Sequence, residues 1–313
     1  MTVELSGVVP ILPTPFHEDD SVDLESVDRI VRFQSAAGVD AVTILGQLDQ
    51  STRLTTDERA AVIRTAIAAA GNVPVVVGAS FGTDSPAYAA QQAIDLGAAA
   101  VAIAPPPIER ASPDAAVDHF ERVTGSVGAP IVLMDHPVST RMHLSTEAML
   151  RLLREVPGII SVRMPSLTNP QRIAMLRRGL GERSVTILTG LGALWGLLDL
   201  ERGADGFHAA FAFPEVLLAV LYQFRSSNRS GARQILTKYL PLIAFEQQST
   251  LALRREILVC RGLLASSHGR ESSASPDTEA RAQVRDLLDA VFPGETLSRP
   301  LDVTASRPFL VNI

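Results

Sequence analysis

The sequence predicts an α/β protein of the (β/α)8 TIM-barrel class that carries a C-terminal helical extension. Eight short apolar runs alternate with longer amphipathic segments, as in a chain of repeated β-then-α units. The runs are rich in Val, Ile and Ala without polar alternation, which is typical of parallel strands covered by helices. No GxGxxG or GxxxxGK[ST] fingerprint occurs, although a doubly wound nucleotide-binding sheet usually has one. Eight units within roughly 215 residues favour a closed barrel.

The strand candidates are short enough for barrel strands and are separated by helix-capping signals. They are VVPIL (8–12), AVTILG (41–46), VPVVVGA (73–79), AVAIAP (100–105), PIVLMD (130–135), IISVRM (159–164), SVTILTG (184–190) and GFHAAF (206–211). Thr55 and Glu58 fit a capping box, and Ser85 stands before Pro86 as an N-cap before a first-turn proline. Gly38 stands where the first helix is expected to end.

After Pro214 the pattern changes to helices alone. Helices are expected at roughly 215–225, 230–247, 250–265 and 278–291, with a polar loop at 266–277. The predicted organisation is a barrel over residues 1–225 and a helical layer with a tail over residues 226–313.

Composition limits the classes of partner. The formal net charge is −6 and no basic block occurs, so neither nucleic acid nor an anionic membrane surface is an expected partner, whereas a small solute is. Cys260 is the only cysteine, which excludes an intrachain disulfide. No apolar run approaches the ~20 residues that cross a bilayer, and the first ten residues lack a secretory pattern. A cytoplasmic location is therefore expected.

The order of motifs resembles the dihydrodipicolinate synthase/N-acetylneuraminate lyase family of class I aldolases, from Gly7 to Val291. GVVPILPTPF (7–16) is similar to the family's first strand and its TPF, and GQLDQSTRLT (46–55) stands at the family's GTTGES-x-x-LT. GADGFHAAFAFPE (203–215) is similar to its eighth strand. The resemblance implies a TIM barrel, a lyase acting on a small carboxylate or keto acid, and assembly as a homodimer or homotetramer.

Two positions depart from the family pattern where its chemistry is done. Arg163 stands at the Schiff-base lysine, and Met134 stands at the catalytic tyrosine. An arginine keeps its proton and cannot form an imine, although it can hold a carboxylate through two hydrogen bonds. Lys238, the one lysine of the sequence, falls in the helical layer. The expectation is an inherited fold with a changed reaction.

The candidate site follows from the rule that a barrel's active-site mouth lies at the carboxyl ends of its strands. The catalytic candidates are Arg163, His136, His208 and Asp135. The substrate-binding candidates are Gln47, Leu48, Asp49, Thr14, Ser139 and Gly190. Ser80 and Arg141 also fall at the mouth. The sequence predicts no metal, since a His136/His208 pair has no supporting ligand spacing, and no cofactor.

Each of these candidates also has a purely structural interpretation. Arg163 is either a ligand for an anion or an internal cation neutralised by Asp135 or Asp49, because a buried arginine needs a partner. His136 is either a general base or a solvated loop residue, and His208 either lines the pocket or packs in the core.

Three functions therefore remain open. The first is a lyase-type enzyme acting on a small 2-keto or 2-hydroxy acid without a Schiff base, with Arg163 holding the carboxylate or oxyanion. The second is a catalytically inactive family member that serves as a metabolite-binding or scaffolding barrel. The third, an aldolase using another route, has no residue that supports it.

Overall fold

The architecture is a (β/α)8 barrel followed by further helices, which confirms the predicted fold class. The computed structural model describes residues 5–46, 53–80, 85–105, 113–135, 137, 144–165, 170–248, 251–271 and 275–303. Within this part of the chain no helix is both long and apolar enough to span a membrane.

Eight parallel strands form the barrel wall within the described residues. They span Gly7–Pro10 (β1), Val42–Ile44 (β2), Val75–Gly78 (β3), Ala100–Ile103 (β4), Ile131–Met134 (β5), Ile159–Met164 (β6), Thr186–Thr189 (β7) and Gly206–Ala209 (β8). Hydrogen bonding joins them in the order β1-β8-β7-β6-β5-β4-β3-β2. The remaining seam, between β1 and β2, is joined by a parallel bridge from Ile11 to Thr43, in which Leu12 N–H donates to Thr43 O at 2.8 Å.

Helices cover the outside of the wall. Those in the described residues span Leu24–Ala37 (α1), Thr56–Ala70 (α2), Pro86–Asp95 (α3), Pro113–Val127 (α4), Thr146–Glu155 (α5), Pro170–Leu180 (α6), Gly196–Glu201 (α7), Pro214–Arg225 (α8), Arg229–Gln248 (α9), Ala252–Cys260 (α10) and Thr278–Val291 (α11). The Thr55/Glu58 capping box and the Ser85 cap are both formed, and Gly38 ends α1 with a φ of 80°. The local capping signals are thus confirmed.

The predicted helix at 250–265 is too long. Helix α10 ends at Cys260, and Gly262 follows with a φ of 67° and an N–H that donates to Val259 O at 2.8 Å. A residue in this left-handed conformation ends a helix, and glycine adopts it without a steric cost. The apolar residues Leu263 and Leu264 continue the buried pattern after the helix has ended.

Alternation along the strands separates an inner from an outer face. On β6, Val162 and Met164 pack outward against the helices, so Arg163 lies on the inner face of the wall. A separate apolar cluster fills the barrel interior and includes Ala100, Ala102 and other small or medium side chains. The side chains of alanine leave more room inside the barrel than larger residues would.

The extension packs on the barrel through aromatic rings and buried ion pairs. Phe292, just after α11, stacks on Phe213 before α8 with a centroid distance of 4.7 Å. Arg261 pairs with Glu215 of α8 at 2.5 Å, and both side chains are buried. One hydrophobic cluster runs through the helices on the barrel and into the extension. The division into residues 1–225 and 226–313 stays a sequence prediction.

Candidate active site at the carboxyl end of the barrel

Arg163 lies inside the barrel, near the carboxyl end of β6. Its backbone is in register with Met134 of β5 and Leu188 of β7, which both belong to the interior apolar cluster. Only 7% of the residue is exposed. A guanidinium is therefore held among apolar side chains, where a charge is costly unless it is matched by polar partners.

The guanidinium of Arg163 rests against Gly190, the residue that follows β7. A Cβ atom at position 190 would lie 2.1 Å from Arg163 Nη2, so the absence of a side chain there makes room for the cation. The φ of Gly190 is −106°, which any residue can adopt, so space rather than backbone conformation favours glycine. The next residues, Leu191–Ala193, form a short 3-10 turn with positive φ values of 52°, 61° and 60°.

The hydrogen bonding of Arg163 is incomplete. Nε–H donates to His208 O at a long distance of 3.4 Å, and Nη1 is buried with no hydrogen-bond partner among the described residues. Burial lowers the pKa of Arg163 to about 10, while the charge of Asp135 acts in the opposite direction. The group is still a cation at neutral pH, and one of its donors has no acceptor in the described part of the chain.

His208 lies on the inner face of β8, next to Arg163. The residue is fully buried, and its Nε2 is 2.8 Å from the hydroxyl of Thr43 on β2. Its Nδ1 is buried without a hydrogen-bond partner in the described part of the chain. Burial, followed by the charge of Arg163, lowers the pKa of His208 to about 3. The imidazole is consequently neutral at physiological pH.

Asp135 follows β5, and its carboxylate is bound by a helix residue. Arg172 of α6 donates from Nη1 to Asp135 Oδ2 at 3.1 Å and from Nη2 to Leu144 O at 2.6 Å. Since Met134 faces the interior, strand alternation turns the neighbouring Asp135 toward the helices. No ion pair joins Arg163 to a carboxylate of the described residues, so internal neutralisation by Asp135 at contact distance is not observed.

Several candidates from the sequence fall elsewhere at the mouth or outside the described residues. Thr14 is buried, and its carbonyl accepts a hydrogen bond from Arg255 Nη2 of the extension at 2.9 Å. Ser80 Oγ accepts from Ala104 N–H at 2.5 Å. The candidates outside the described residues are Gln47, Leu48, Asp49, His136, Ser139 and Arg141. Their assigned roles stay predictions, as do those of Arg163, His208, Asp135, Thr14 and Gly190.

Two buried polar residues of the barrel were not among the sequence candidates. Thr43 stands alone among the apolar residues of β2, and a single polar side chain within a buried run is the signal that marks it. Asp199 of α7 is 1% exposed, and neither carboxyl oxygen has a well-formed hydrogen bond within the described residues. Burial raises the pKa of Asp199 to about 7, and Thr189 at the end of β7 acts in the opposite direction.

No cluster of three or more His, Cys, Asp or Glu side chains suited to a metal is found in the part of the chain that is described. The one lysine of the sequence lies outside the barrel strands. Lys238 belongs to α9 of the extension, where its Nζ lies 4.9 Å from the ring centroid of Tyr239.

Eight parallel strands arranged as a barrel and covered by helices define a TIM-barrel protein. The chain belongs to the dihydrodipicolinate synthetase family, whose model matches residues 4–291. Sequence relatives include a 4-hydroxy-tetrahydrodipicolinate synthase of Chlorobaculum parvum, 33% identical over 243 residues that cover 76% of this chain and 81% of that protein. An L-2-keto-3-deoxyarabonate dehydratase of Azospirillum brasilense is 31% identical over 285 residues, 88% of this chain and 91% of that protein.

Solved structures agree with this assignment. The dihydrodipicolinate synthase of Rhodopseudomonas palustris superposes with a TM-score of 0.86 at 31% sequence identity, covering 92% of this chain and 98% of that one. The family resemblance read from the sequence motifs is therefore confirmed.

Proposed function

We propose that this protein is a lyase-type enzyme that acts on a small 2-keto or 2-hydroxy acid without a Schiff-base intermediate. Arg163 holds the carboxylate, or the oxyanion that develops from the substrate. The relatives named as a 4-hydroxy-tetrahydrodipicolinate synthase and an L-2-keto-3-deoxyarabonate dehydratase support the substrate class. The route without an imine follows from arginine standing where the family resemblance places the reactive lysine, because a guanidinium is not nucleophilic.

The observation that carries the proposal is the incomplete bonding of Arg163. A buried cation with an unmatched donor is costly to a protein, and an anionic ligand relieves the cost by pairing with it. A charged hydrogen bond of this kind contributes about 1.5–3 kcal/mol. The same cation can stabilise negative charge on an enolate or alkoxide as it develops in the reaction.

The decisive experiment is reductive trapping with pyruvate and borohydride, followed by intact-protein mass spectrometry. The wild-type protein is expected to gain no mass. The variant R163K restores an amine at the same position and tests whether trapping there is detectable. A reduced pyruvate adduct on the wild-type chain would overturn the proposed route.

Turnover is separated from mere binding by a second experiment. Pyruvate and longer 2-keto and 2-hydroxy acids are each expected to raise the melting temperature of the wild type but not of Arg163→Met. Carbon–carbon cleavage or dehydration of a stabilising acid, followed by NMR, identifies the enzyme. An acid that stabilises the protein and is never converted favours the second candidate, a non-catalytic metabolite-binding or scaffolding barrel.

That second candidate is supported by Met134, which stands at the position of the family's tyrosine and provides no hydroxyl for proton transfer. Assembly as a homodimer or homotetramer and a cytoplasmic location are also proposed, from the family alone. Analytical ultracentrifugation of the purified chain measures the first of these directly.

A further inference from the structure

Solvent reaches the barrel interior at the carboxyl ends of β4 and β5 but hardly at their beginnings. Ala100 and Val132, early in these strands, are 0% and 1% exposed, whereas Ala102, Ala104 and Met134, further along, are 4%, 3% and 6% exposed. All five belong to the interior apolar cluster. A solute that enters the barrel from this end therefore meets Ala102, Ala104 and Met134 as parts of the wall.

This apolar wall continues from Arg163 in the register of the sheet. Met134 of β5 is paired in register with Arg163 of β6. Ile103 of β4 is in register with Leu133, so Ala104 and Met134, the next residue on each strand, lie side by side. Neighbouring strands are about 4.8 Å apart, so the backbone row from Arg163 through Met134 to Ala104 is roughly 10 Å across. This is the scale of a small acid with a short carbon chain.

The Arg163 guanidinium lies on the other side of its strand. Its Nη2 is 2.1 Å from the place where a Cβ of Gly190 would stand, just after β7, and its Nε–H donates to His208 O of β8 at 3.4 Å. The charged group is therefore turned toward β7 and β8, while the apolar wall lies toward β4 and β5. An acid whose carboxylate pairs with Arg163 extends its remaining carbon atoms toward this wall.

The polar side chains described near this wall are buried or already hydrogen-bonded. His208 and Thr43 contact each other at 2.8 Å, and both are 0% exposed, so solvent does not reach them. Ser80, after β3, uses its hydroxyl oxygen to accept the N–H of Ala104. A hydroxyl group on the ligand's chain would lose its hydration here without gaining an equivalent partner, whereas a methyl or methylene group would gain from burial.

We infer that the acid bound at Arg163 carries an unhydroxylated aliphatic chain, which Met134, Ala102 and Ala104 receive. The inference rests on the proposed function, in which Arg163 holds a small 2-keto or 2-hydroxy acid, and it narrows that class to acids such as 2-oxobutanoate and 2-oxopentanoate. Met134 is then a specificity-determining residue, because its side chain supplies apolar contact directly beside the cation. The two alanines, which have the smallest side chains of the wall, leave room for the end of the chain.

The chain preference is measured by calorimetric titration of the whole purified protein at neutral pH. Pyruvate, 2-oxobutanoate and 2-oxopentanoate differ by one methylene group each, and we expect the dissociation constant to fall about 4-fold at each step, which corresponds to ~0.8 kcal/mol per buried methylene. Hydroxypyruvate has the same number of heavy atoms as 2-oxobutanoate but ends in a hydroxyl. We expect it to bind about 10-fold more weakly than 2-oxobutanoate.

Met134→Gln replaces the thioether by an amide of similar length and tests the role of this residue. The preference for 2-oxobutanoate over hydroxypyruvate should fall to about 3-fold or less, because the amide removes apolar contact and provides a hydrogen-bond partner. Met175→Gln, at a half-exposed methionine of α6, is the matched control and should keep the wild-type preference. The acid series on the wild type needs no variant, so it tests the inference even if Met134→Gln does not fold.

Failure of this inference is distinguishable from failure of the proposed function. Dissociation constants that stay constant or rise with chain length, or hydroxypyruvate bound as tightly as 2-oxobutanoate, overturn the aliphatic chain and leave the acid-binding site standing. An unchanged preference in folded Met134→Gln overturns the role of Met134. If no acid of the series binds the wild type, the proposed function and the inference fall together.

Discussion

Two sets of buried arginines in the described residues, one at the extension and one inside the barrel, differ in how their charges are matched. Where the extension meets the barrel, Arg261 pairs with Glu215 at 2.5 Å and Arg254 pairs with Glu246 at 2.6 Å, all four side chains being buried. Inside the barrel, Arg163 is also buried, but its described hydrogen bond is long and its Nη1 is unmatched in the described residues. The same side chain serves stability in one place and leaves bonding capacity unused in the other.

Structural and functional buried charges can be told apart by whether the folded chain supplies a carboxylate for them. A buried ion pair whose carboxylate comes from the same chain is complete when the chain is folded. A buried cation that the fold leaves incomplete lowers stability, so its presence is better explained by a ligand than by packing. Substitutions at the extension should therefore lower the free energy of unfolding, whereas substitution of Arg163 should lower ligand affinity.

The largest effect is expected from breaking a completed pair. Arg261→Leu leaves Glu215 as an uncompensated buried charge, and the free energy of unfolding should fall by about 3–5 kcal/mol. Urea denaturation followed by circular dichroism measures it. Arg32→Ala, which removes an exposed pair with Asp28, is the control and should change stability by less than about 1 kcal/mol. Equal losses in both variants would remove the distinction between the regions.

Asp199 extends the comparison to a buried carboxyl group, whose effect on stability can be measured as a function of pH. Its pKa is raised from 3.8 to about 7 by burial, so between these values the folded state holds a proton that the unfolded state has released. Wild-type stability should therefore fall as pH rises from 4 to 7 and level off above 7, by on the order of 2–4 kcal/mol.

Asp199→Asn removes the titrating group, so its stability relative to the wild type should improve with pH over the same window. Unfolding in urea at pH 4.5, 6 and 8 measures the trend, and Asp28→Asn, at an exposed carboxylate, supplies the matched control. A constant difference between Asp199→Asn and the wild type across the three values would show that burial does not govern this group.

Arg163→Met should affect binding rather than folding. Removing an incompletely bonded buried charge is expected to leave the free energy of unfolding unchanged or raised. The affinity for a 2-keto acid should fall roughly 10- to 100-fold, as for a lost charged hydrogen bond. Calorimetry and urea denaturation of the same preparation test both parts. A marked loss of stability would place Arg163 with the structural arginines.

The smallest effect is expected from substituting Gly190, against which the Arg163 guanidinium lies. Gly190→Ala would place a Cβ against the Arg163 guanidinium, which must move, and the dissociation constant of a 2-keto acid should rise about 3- to 10-fold. The guanidinium is the mobile end of its side chain, so stability should change little. Gly125→Ala, in α4 with no atom within 4 Å of the added group, should leave binding unaltered.

The fold was predictable from the sequence because its signals are repeated and local. Eight apolar runs of strand length mark the wall, and the capping pair Thr55 and Glu58 is satisfied within one helical turn. The end of α10 was predicted too late in the chain because burial continues through Leu263 and Leu264 after the backbone has turned at Gly262. A hydrophobic pattern reports burial, not helix geometry.

The site was less predictable because it depends on pairings between distant strands. Arg163 and His208 could be proposed from their positions at strand ends, but the contact of His208 with Thr43 joins β8 to β2 across the barrel interior. The pairing of Asp135 with Arg172 of α6 depends on the direction in which the chain faces at the end of β5, and a shift of one residue would reverse it. Asp199 is one of two acidic residues in a short helix, and its burial becomes visible only in the packed fold.

The joint between β1 and β2 affects how the protein unfolds. Thr43 accepts the hydrogen bond from Leu12 that joins the first strand to the second, and its hydroxyl contacts the imidazole across the interior. Opening the ring at this joint would separate Thr43 from His208 and open the interior in which Arg163 lies. A bound acid should then slow unfolding that begins at this joint, because only the closed ring can hold it.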